Sequence, residues 1–351
     1  MRVLFWGTPT YAVPTLEALL DAGHEIVGVV SQPDRRRSRG RALQASPVKC
    51  RASEEGLTVF SSYCIRKDPE IQKLIANCNA DLFVVVAFGQ ILPKEVLQQP
   101  PLGCWNGHGS LLPRWRGAAP IQWSLLSGDP KTGVGIMAME EGLDTGPLLL
   151  QREQSIGLLQ NADELAQHLS HLTAKLMVEA LPQIKTAGSG LEAGCWDCLG
   201  LIPQHQLNRD VTYARLLSKE DYWIDWSRQA LEIHRQVMAL YPHALCSWRG
   251  LRFKVQATEP LIMKLRDQLS DDVRKILDQH ATSMRRKPGE ITSVIQGLGV
   301  IVATGGNHQL LIRKAQIENK TAAVGTALLQ QMQVRPGDQL LSLHSISLST
   351  N

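Results

Sequence analysis

Six consecutive apolar residues, Leu82-Phe83-Val84-Val85-Val86-Ala87, constrain this chain more than any other feature. Such a run suits a parallel strand covered on both faces. A parallel strand needs a crossover connection, usually a helix, on either side of it. The surrounding sequence supplies that pattern. Val3–Trp6 reads as a strand, and a helix is predicted over Val13–Ala22, with Pro14 near its start and Gly23 after its end. Glu25–Val30 and Val134–Met139 read as further strands, and Ala162–Lys185 is the longest helical pattern. Alternation of this kind predicts an α/β fold with a doubly wound parallel sheet, a Rossmann-like domain over residues 1–189.

The pattern changes near residue 188. Residues 190–208 contain Gly and Pro with little periodicity and read as a linker. Beyond them, Ala244–Trp248, Phe253–Thr258, Ile291–Ile295, Gly299–Ala303 and Gln309–Ile312 are short β-like runs separated by turn residues. They predict a smaller β-barrel over 209–342. A charged helical pattern at 264–287, ending in Arg285-Arg286-Lys287, reads as an insertion that forms a solvated helical hairpin, and 343–351 reads as a tail.

Charge is informative only in its distribution. The net formal charge is +4. Residues 1–190 hold 18 basic and 18 acidic side chains, so the other 19 and 15 place the whole excess in the later part. The first part nevertheless concentrates Arg35, Arg36, Arg37, Arg39 and Arg41 within seven residues. That loop is too polar for a core, and as a nucleic-acid element its arginines would neutralise phosphates. No apolar run approaches a membrane span, and the N-terminus lacks the apolar stretch of a signal peptide, so a cytoplasmic location is expected. Seven scattered cysteines fit reduced thiols. Cys195 and Cys198 form a C-x-x-C without a second soft pair, so no metal site is expected.

Chemistry concentrates in Asn106-Gly107-His108-Gly109-Ser110-Leu111-Leu112-Pro113-Arg114-Trp115-Arg116-Gly117. On an extended segment, Asn106 and His108 point to the same side. At the carboxyl edge of a parallel sheet they would line the crevice where such folds bind ligands. Asp144 lies between Gly142 and Gly146, which predicts a tight loop able to bring its carboxylate beside His108. Such a set suits acyl transfer to an amine. An amide donor and a protonated imidazole would stabilise an oxyanion, and a carboxylate would orient the ring, favour its charged form and help a water take the amine proton.

This segment, with Ser110-Leu111-Leu112-Pro113, resembles the signature of the 10-formyltetrahydrofolate-dependent formyltransferases. The resemblance implies that Asn106, His108 and Asp144 are the catalytic set and that Ser110–Pro113 contacts folate. Phe88, Gly89, Gln90, Ile91 and Leu92, after the apolar strand, would complete the folate site with backbone groups and apolar walls. Further blocks resemble the branch of the family whose acceptor is initiator methionyl-tRNA. They are Gly7-Thr8-Pro9, Gln32-Pro33-Asp34-Arg35, Ser46-Pro47-Val48-Lys49, Arg114–Gln122, Thr212-Tyr213-Ala214 and Ile224-Asp225-Trp226.

The resemblance implies transfer of a formyl group from 10-formyltetrahydrofolate to methionine on that tRNA, with the basic loop meeting the acceptor end; a monomer is the separate expectation. It also implies a C-terminal barrel of the oligonucleotide-binding type. Gly107 and Gly109 stand where the family usually carries larger residues, and are expected to loosen the loop holding His108. Three alternatives are a family member acting on glycinamide ribonucleotide, an amino sugar or water, a non-catalytic RNA-binding protein, and a nicotinamide-dependent reductase. Gly7-Thr8-Pro9 lacks the glycine fingerprint of the last.

Overall fold

The computed structural model describes residues 1–36, 43–188, 198–280 and 286–342. Arg37, Arg39, Arg41, Cys195, Arg285 and the tail 343–351 lie outside them. The chain divides into two compact units, one of Met1–Pro120, Lys131–Ser155 and Ala166–Arg215, the other of Ile121–Pro130, Ile156–Leu165 and the residues from Leu216 onward. Two short segments of the first half of the sequence therefore belong to the second unit.

The first unit is built on a seven-stranded sheet. In chain order its elements are β1 (Arg2–Gly7), α1 (Val13–Asp21), β2 (Glu25–Ser31), a hairpin of β3 (Arg35–Arg36) and β4 (Leu43–Gln44), α2 (Pro47–Glu54), β5 (Val59–Ser61), α3 (Pro69–Ala76), β6 (Leu82–Val86), α4 (Lys94–Leu97), β7 (Cys104–His108), β8 (Arg116–Gly117), then, beyond α5 (Pro120–Ser127), β9 (Lys131–Ala138), β10 (Leu148–Ser155), α6 (Ala162–Ala187) and β11 (Tyr213–Ala214). Local chemistry sets the helix starts. Ser46 accepts from the Lys49 N–H ahead of Pro47, and Asp68 accepts from the Ile71 N–H ahead of Pro69.

The sheet order is β10-β9-β7-β6-β1-β2-β5. The predicted strand over Leu82–Ala87 is β6, buried along its whole length between β1 and β7. One refinement concerns direction. β9, which contains Val134–Ala138, runs antiparallel to both β7 and β10, so the sheet is mixed and six of its strands share one direction. Trp6, Phe83, Phe88 and Leu92 pack in one core cluster on this sheet, with Phe88 edge-on to Trp6. The carboxyl ends of β1, β6 and β7 lie side by side, and Thr8 Oγ1 donates to the Phe88 carbonyl across them.

The second unit is an antiparallel sheet. Its strands are β12 (Ala244–Trp248), β13 (Leu251–Pro260), β14 (Ile291–Ile295), β15 (Gly299–Ala303), β16 (Gln309–Ile317), β17 (Ala323–Val324) and β18 (Leu340–Leu341). They are ordered β14-β15-β16-β13-β12-β18, with β17 on β16. The two edges meet: Ile291 N–H donates to the Asp338 carbonyl and Leu340 N–H to the Gly289 carbonyl, which closes the sheet into the expected barrel. Its helices are α5, α7 (Ala230–Ala239), which opens with a Gln229/Glu232 capping box, α8 (Asp271–His280) and α9 (Gly325–Met332).

The 264–287 segment corrects the expectation of a solvated hairpin. Val273 and Leu277 on α8 are fully buried against Leu261, Ile301 and Leu311. The start of α8 is held by Glu259, itself buried, which accepts from Ser270 N–H and Oγ–H and from Arg313. No described helix is long and apolar enough to cross a membrane.

Candidate active site

β7 delivers Asn106 and His108 to the carboxyl edge of the sheet on one face, as the spacing predicts. The alternate position, Gly107, faces α6, where a Cβ would collide with Thr173 Cγ2. The strand is held on both sides, Asn106 pairing with Val85 on β6 and with Met137 on β9. This rigid seat corrects the expectation that Gly107 loosens the segment. The glycine lets the strand approach the helix closely.

Asp144 comes from the loop between β9 and β10. Its backbone has φ +51, a left-handed conformation that Asp tolerates. Gly146 lies so close to the Ala138 carbonyl that no Cβ fits there. The predicted tight loop therefore exists, and it brings the carboxylate to the pair on β7. Asp144 Oδ2 lies 3.7 Å from His108 Nδ1 and accepts from the Gly117 N–H at 2.8 Å, while Oδ1 receives the Asn106 amide at 3.5 Å.

The imidazole is 6% exposed and the Asp144 side chain 15%. His108 Nε2 lies 2.9 Å from the Trp115 carbonyl. A carbonyl only accepts, so Nε2 carries the hydrogen and Nδ1 is the nitrogen turned to the carboxylate. Trp115 reaches this position with φ +63, its own N–H bonded to Thr212 Oγ1 at 2.9 Å. Burial pushes the Cys104 thiol, at the start of β7, well above its ordinary value, so it stays protonated and is no nucleophile.

The expected folate segments leave the same edge. Phe88 and Leu92 are buried in the core cluster. Gly89 turns with φ +83, and Gln32 Nε2 donates to the Phe88 and Gly89 carbonyls. Gln90 is occupied with Ser62 and Ile65, and Ile91 is exposed. Ser110 Oγ donates to the Arg114 carbonyl, Leu111 and Pro113 are buried, and Leu112 packs with Met137 and Leu148. These segments thus present mainly backbone and one apolar side chain. Of the basic loop, Arg35 is exposed and bonds Gln32 Oε1 at 2.8 Å, and Arg36 pairs through its backbone with Leu43. Among the described residues, no group of three or more His, Cys, Asp or Glu side chains is placed to hold a metal.

Sequence reasoning missed a second layer. β11 pairs with β8, Thr212 and Ala214 carbonyls receiving the Arg116 and Ala118 N–H groups. Gln204 bonds both Arg116 and the Asp144 loop. The only sequence signal was the Thr212-Tyr213-Ala214 block, whose position gave no hint of its partner.

Residues 1–181 match the formyl transferase family and residues 216–333 match the formyl transferase C-terminal domain. The chain belongs to the formyl transferase family. It is 56% identical over 338 residues to a methionyl-tRNA formyltransferase of Prochlorococcus marinus (strain MIT 9313), covering 96% of this chain and 98% of that one. It is 59% identical over 334 residues to one from Synechococcus sp. (strain RCC307), covering 95% and 100%. Among solved structures, the N-formyltransferase from Helicobacter canadensis, determined with folinic acid and dTDP-3-aminofucose, resembles this formyltransferase with a TM-score of 0.58 at 16% identity, over 89% of this chain and 98% of that one. HypX from Aquifex aeolicus, determined with tetrahydrofolic acid, gives 0.57 at 14%, over 97% and 48%. At such identities the likeness concerns fold alone.

Proposed function

We propose that this formyltransferase moves the formyl group of 10-formyltetrahydrofolate to the α-amino group of methionine on initiator methionyl-tRNA, as a cytoplasmic monomer. The observation that carries the chemistry is the convergence of half-buried Asn106 and Asp144 on buried His108 at the sheet edge. Methionyl-tRNA as acceptor is supported by the relatives of 54–59% identity, which are named methionyl-tRNA formyltransferases. We assign formyl transfer to residues 1–189, tRNA contact to the barrel at 209–342 and to Arg35–Arg41, and folate contact to Phe88–Leu92 and Ser110–Pro113, with 190–208 joining them.

In the reaction, the amine nitrogen bonds to the formyl carbon and the bond from that carbon to the folate nitrogen breaks. The amine gives up a proton and the departing nitrogen gains one. Asn106 Nδ2–H and His108 Nε2–H donate to the oxygen that becomes negative between these events. His108 Nε2–H must exchange the Trp115 carbonyl for that oxygen, a rearrangement typical of sites that tighten only with substrate bound. Asp144 Oδ2 faces the other ring nitrogen at 3.7 Å, which leaves Nε2 as the nitrogen turned to the reaction. It also accepts, through a water, the proton leaving the amine. One such donor, once turned to the oxygen, is worth about 10²–10³-fold in rate.

One assay tests the acceptor: labelled formyl transfer to charged initiator tRNA, charged elongator tRNA and free methionine. Labelling of initiator tRNA alone is expected, and equal labelling of free methionine would overturn the reading. His108→Ala and Asp144→Asn should each lower turnover by about 10²-fold or more without unfolding the chain. Near-normal turnover by either removes that residue from the mechanism. Alanine at Arg35, Arg36, Arg37, Arg39 and Arg41 should weaken tRNA binding and flatten its salt dependence while sparing the folate KM.

A further inference from the structure

We infer that Gln204 is a positioning residue for the reaction, setting the distance between Asp144 and His108 from a segment outside both family matches. Those matches end at residue 181 and resume at 216, and the sequence around Gln204 reads as linker. The structure gives this side chain more to do than a linker needs.

Gln204 sits in a single turn of 3-10 helix, Gln204–Gln206, and is 3% exposed. A buried primary amide has two N–H donors and two acceptor lone pairs to satisfy. All four are used here, on three residues. Nε2 donates to the Asp144 carbonyl and the Gly146 carbonyl, both at 2.8 Å. Oε1 accepts from Arg116 Nε at 3.0 Å and Nη2 at 2.7 Å. Arg116 immediately precedes Gly117, whose N–H donates to Asp144 Oδ2. Gln204 therefore grips the backbone of the Asp144 loop on one side and the residue next to the carboxylate's own donor on the other.

The grip matters because the carboxylate itself is held, among the described residues, only by the Gly117 N–H at 2.8 Å and the Asn106 amide at 3.5 Å, and Gln204 fixes the backbone behind it. Asp144 has a left-handed backbone and a His108 contact of 3.7 Å, longer than a hydrogen bond. Its direction is set by where its carbonyl and that of Gly146 are held. Without Gln204, two carbonyls and a guanidinium lose their shared partner, and the loop backbone can shift the carboxylate relative to the imidazole although the Gly117 N–H still holds Oδ2. A displacement near 1 Å at a reacting group costs about 10²-fold in rate.

The inference rests on Asp144 belonging to the catalytic set, so the test includes Asp144→Asn. The full chain would be assayed by single-turnover formylation of charged initiator tRNA, with KM for 10-formyltetrahydrofolate measured separately. The variants are Gln204→Ala and Gln204→Glu, each alone and with Asp144→Asn. Glutamate has the same size and keeps the Arg116 contact, but turns an oxygen toward the two carbonyls, so it carries the test if the alanine variant is unstable.

Expected is a fall in turnover of about 10- to 100-fold for either single variant at nearly constant KM, and no further fall when it is combined with Asp144→Asn. A residue acting through Asp144 has nothing left to position in that background. Normal turnover by the single variants, or an equal fall in the Asp144→Asn background, overturns the inference. Normal turnover by Asp144→Asn alone overturns instead the catalytic reading beneath it.

Discussion

Gly107 offers a test of how tightly the catalytic strand is seated. Its missing side chain faces Thr173 on α6, and a Cβ there would sit closer to Thr173 Cγ2 than the 3.0 Å that real Cβ atoms keep. Thr173 cannot turn aside cheaply. It is fully buried, its Oγ1 donates to the Leu169 carbonyl at 2.7 Å, and Tyr11 Oη lies 2.8 Å away. Forcing one methyl group into a filled core costs about 1–3 kcal/mol. Rotating Thr173 instead would give up hydrogen bonds worth about 1 kcal/mol each.

Gly107→Ala should therefore destabilise the chain by about 2–3 kcal/mol, or about 4–12 °C in melting temperature for a unit of this size. Thr173→Ser removes the offending methyl and keeps the hydroxyl. Alone it should cost about 1 kcal/mol, as loss of one buried methyl does. The double variant should lie near the Thr173→Ser value, a coupling of about 2 kcal/mol that additive effects cannot give. Differential scanning calorimetry of the four proteins reads this directly. Formylation should follow stability, because Asn106 and His108 flank the altered position. A Gly107→Ala protein that melts like the wild type, or one that Thr173→Ser does not rescue, refutes the packing argument.

Three further outcomes are expected. Burial lowers the pKa of His234 from 6.5 to about 4, while its ring spans Thr258 Oγ1 and the Leu158 carbonyl. As pH falls the unfolded chain takes up that proton first, so the contribution is complete above pH 6.5 and is lost down to about pH 4, roughly 3 kcal/mol in all. Urea titrations at about pH 7.5 and pH 5 should show less pH dependence for His234→Gln than for the wild type, and equal dependence would refute the assignment. Leu277→Ala should cost about 2–4 kcal/mol if α8 is part of the barrel core, and nearly nothing if α8 is a solvated appendage. Gly146→Ala should separate the Asp144 loop from β9, lowering turnover by about 10-fold or more with little change in folate KM.

The α/β half was legible because its central strands declare themselves. β6 is apolar throughout, and α1 carries Pro14 and Gly23 at its ends. β5 has only three residues, and β10 is a half-exposed edge strand reading Leu-Leu-Leu-Gln-Arg-Glu-Gln-Ser, so neither signals itself. The direction of β9 depends on the chain returning between β7 and β10, which no local pattern encodes. In the later half, α8 shows apolar residues at Val273, Ile276 and Leu277, a helical stripe hidden among charges. Within the site, Asn106, His108 and Asp144 could be found from spacing, flanking glycines and resemblance. Gln204 could not. Its partners lie 58 to 88 positions away, and a lone polar residue after proline looks like any turn. Gly107 misled for the same reason, since what makes it tight is Thr173 on a distant helix.

Segments 121–130 and 156–165 belong to the unit completed by residues from 216 onward. Synthesis exposes them early. The Leu158 carbonyl and its partner His234 are 76 residues apart, so at about 5–20 residues per second the first waits roughly 4–15 s for the second to emerge. Throughout that interval the apolar Leu158 lacks the cluster it finally packs on, Leu261, Leu277, Ile301 and Leu311 among its members. A protein stopped anywhere in 190–208 would never acquire those partners, and Leu158 would stay exposed.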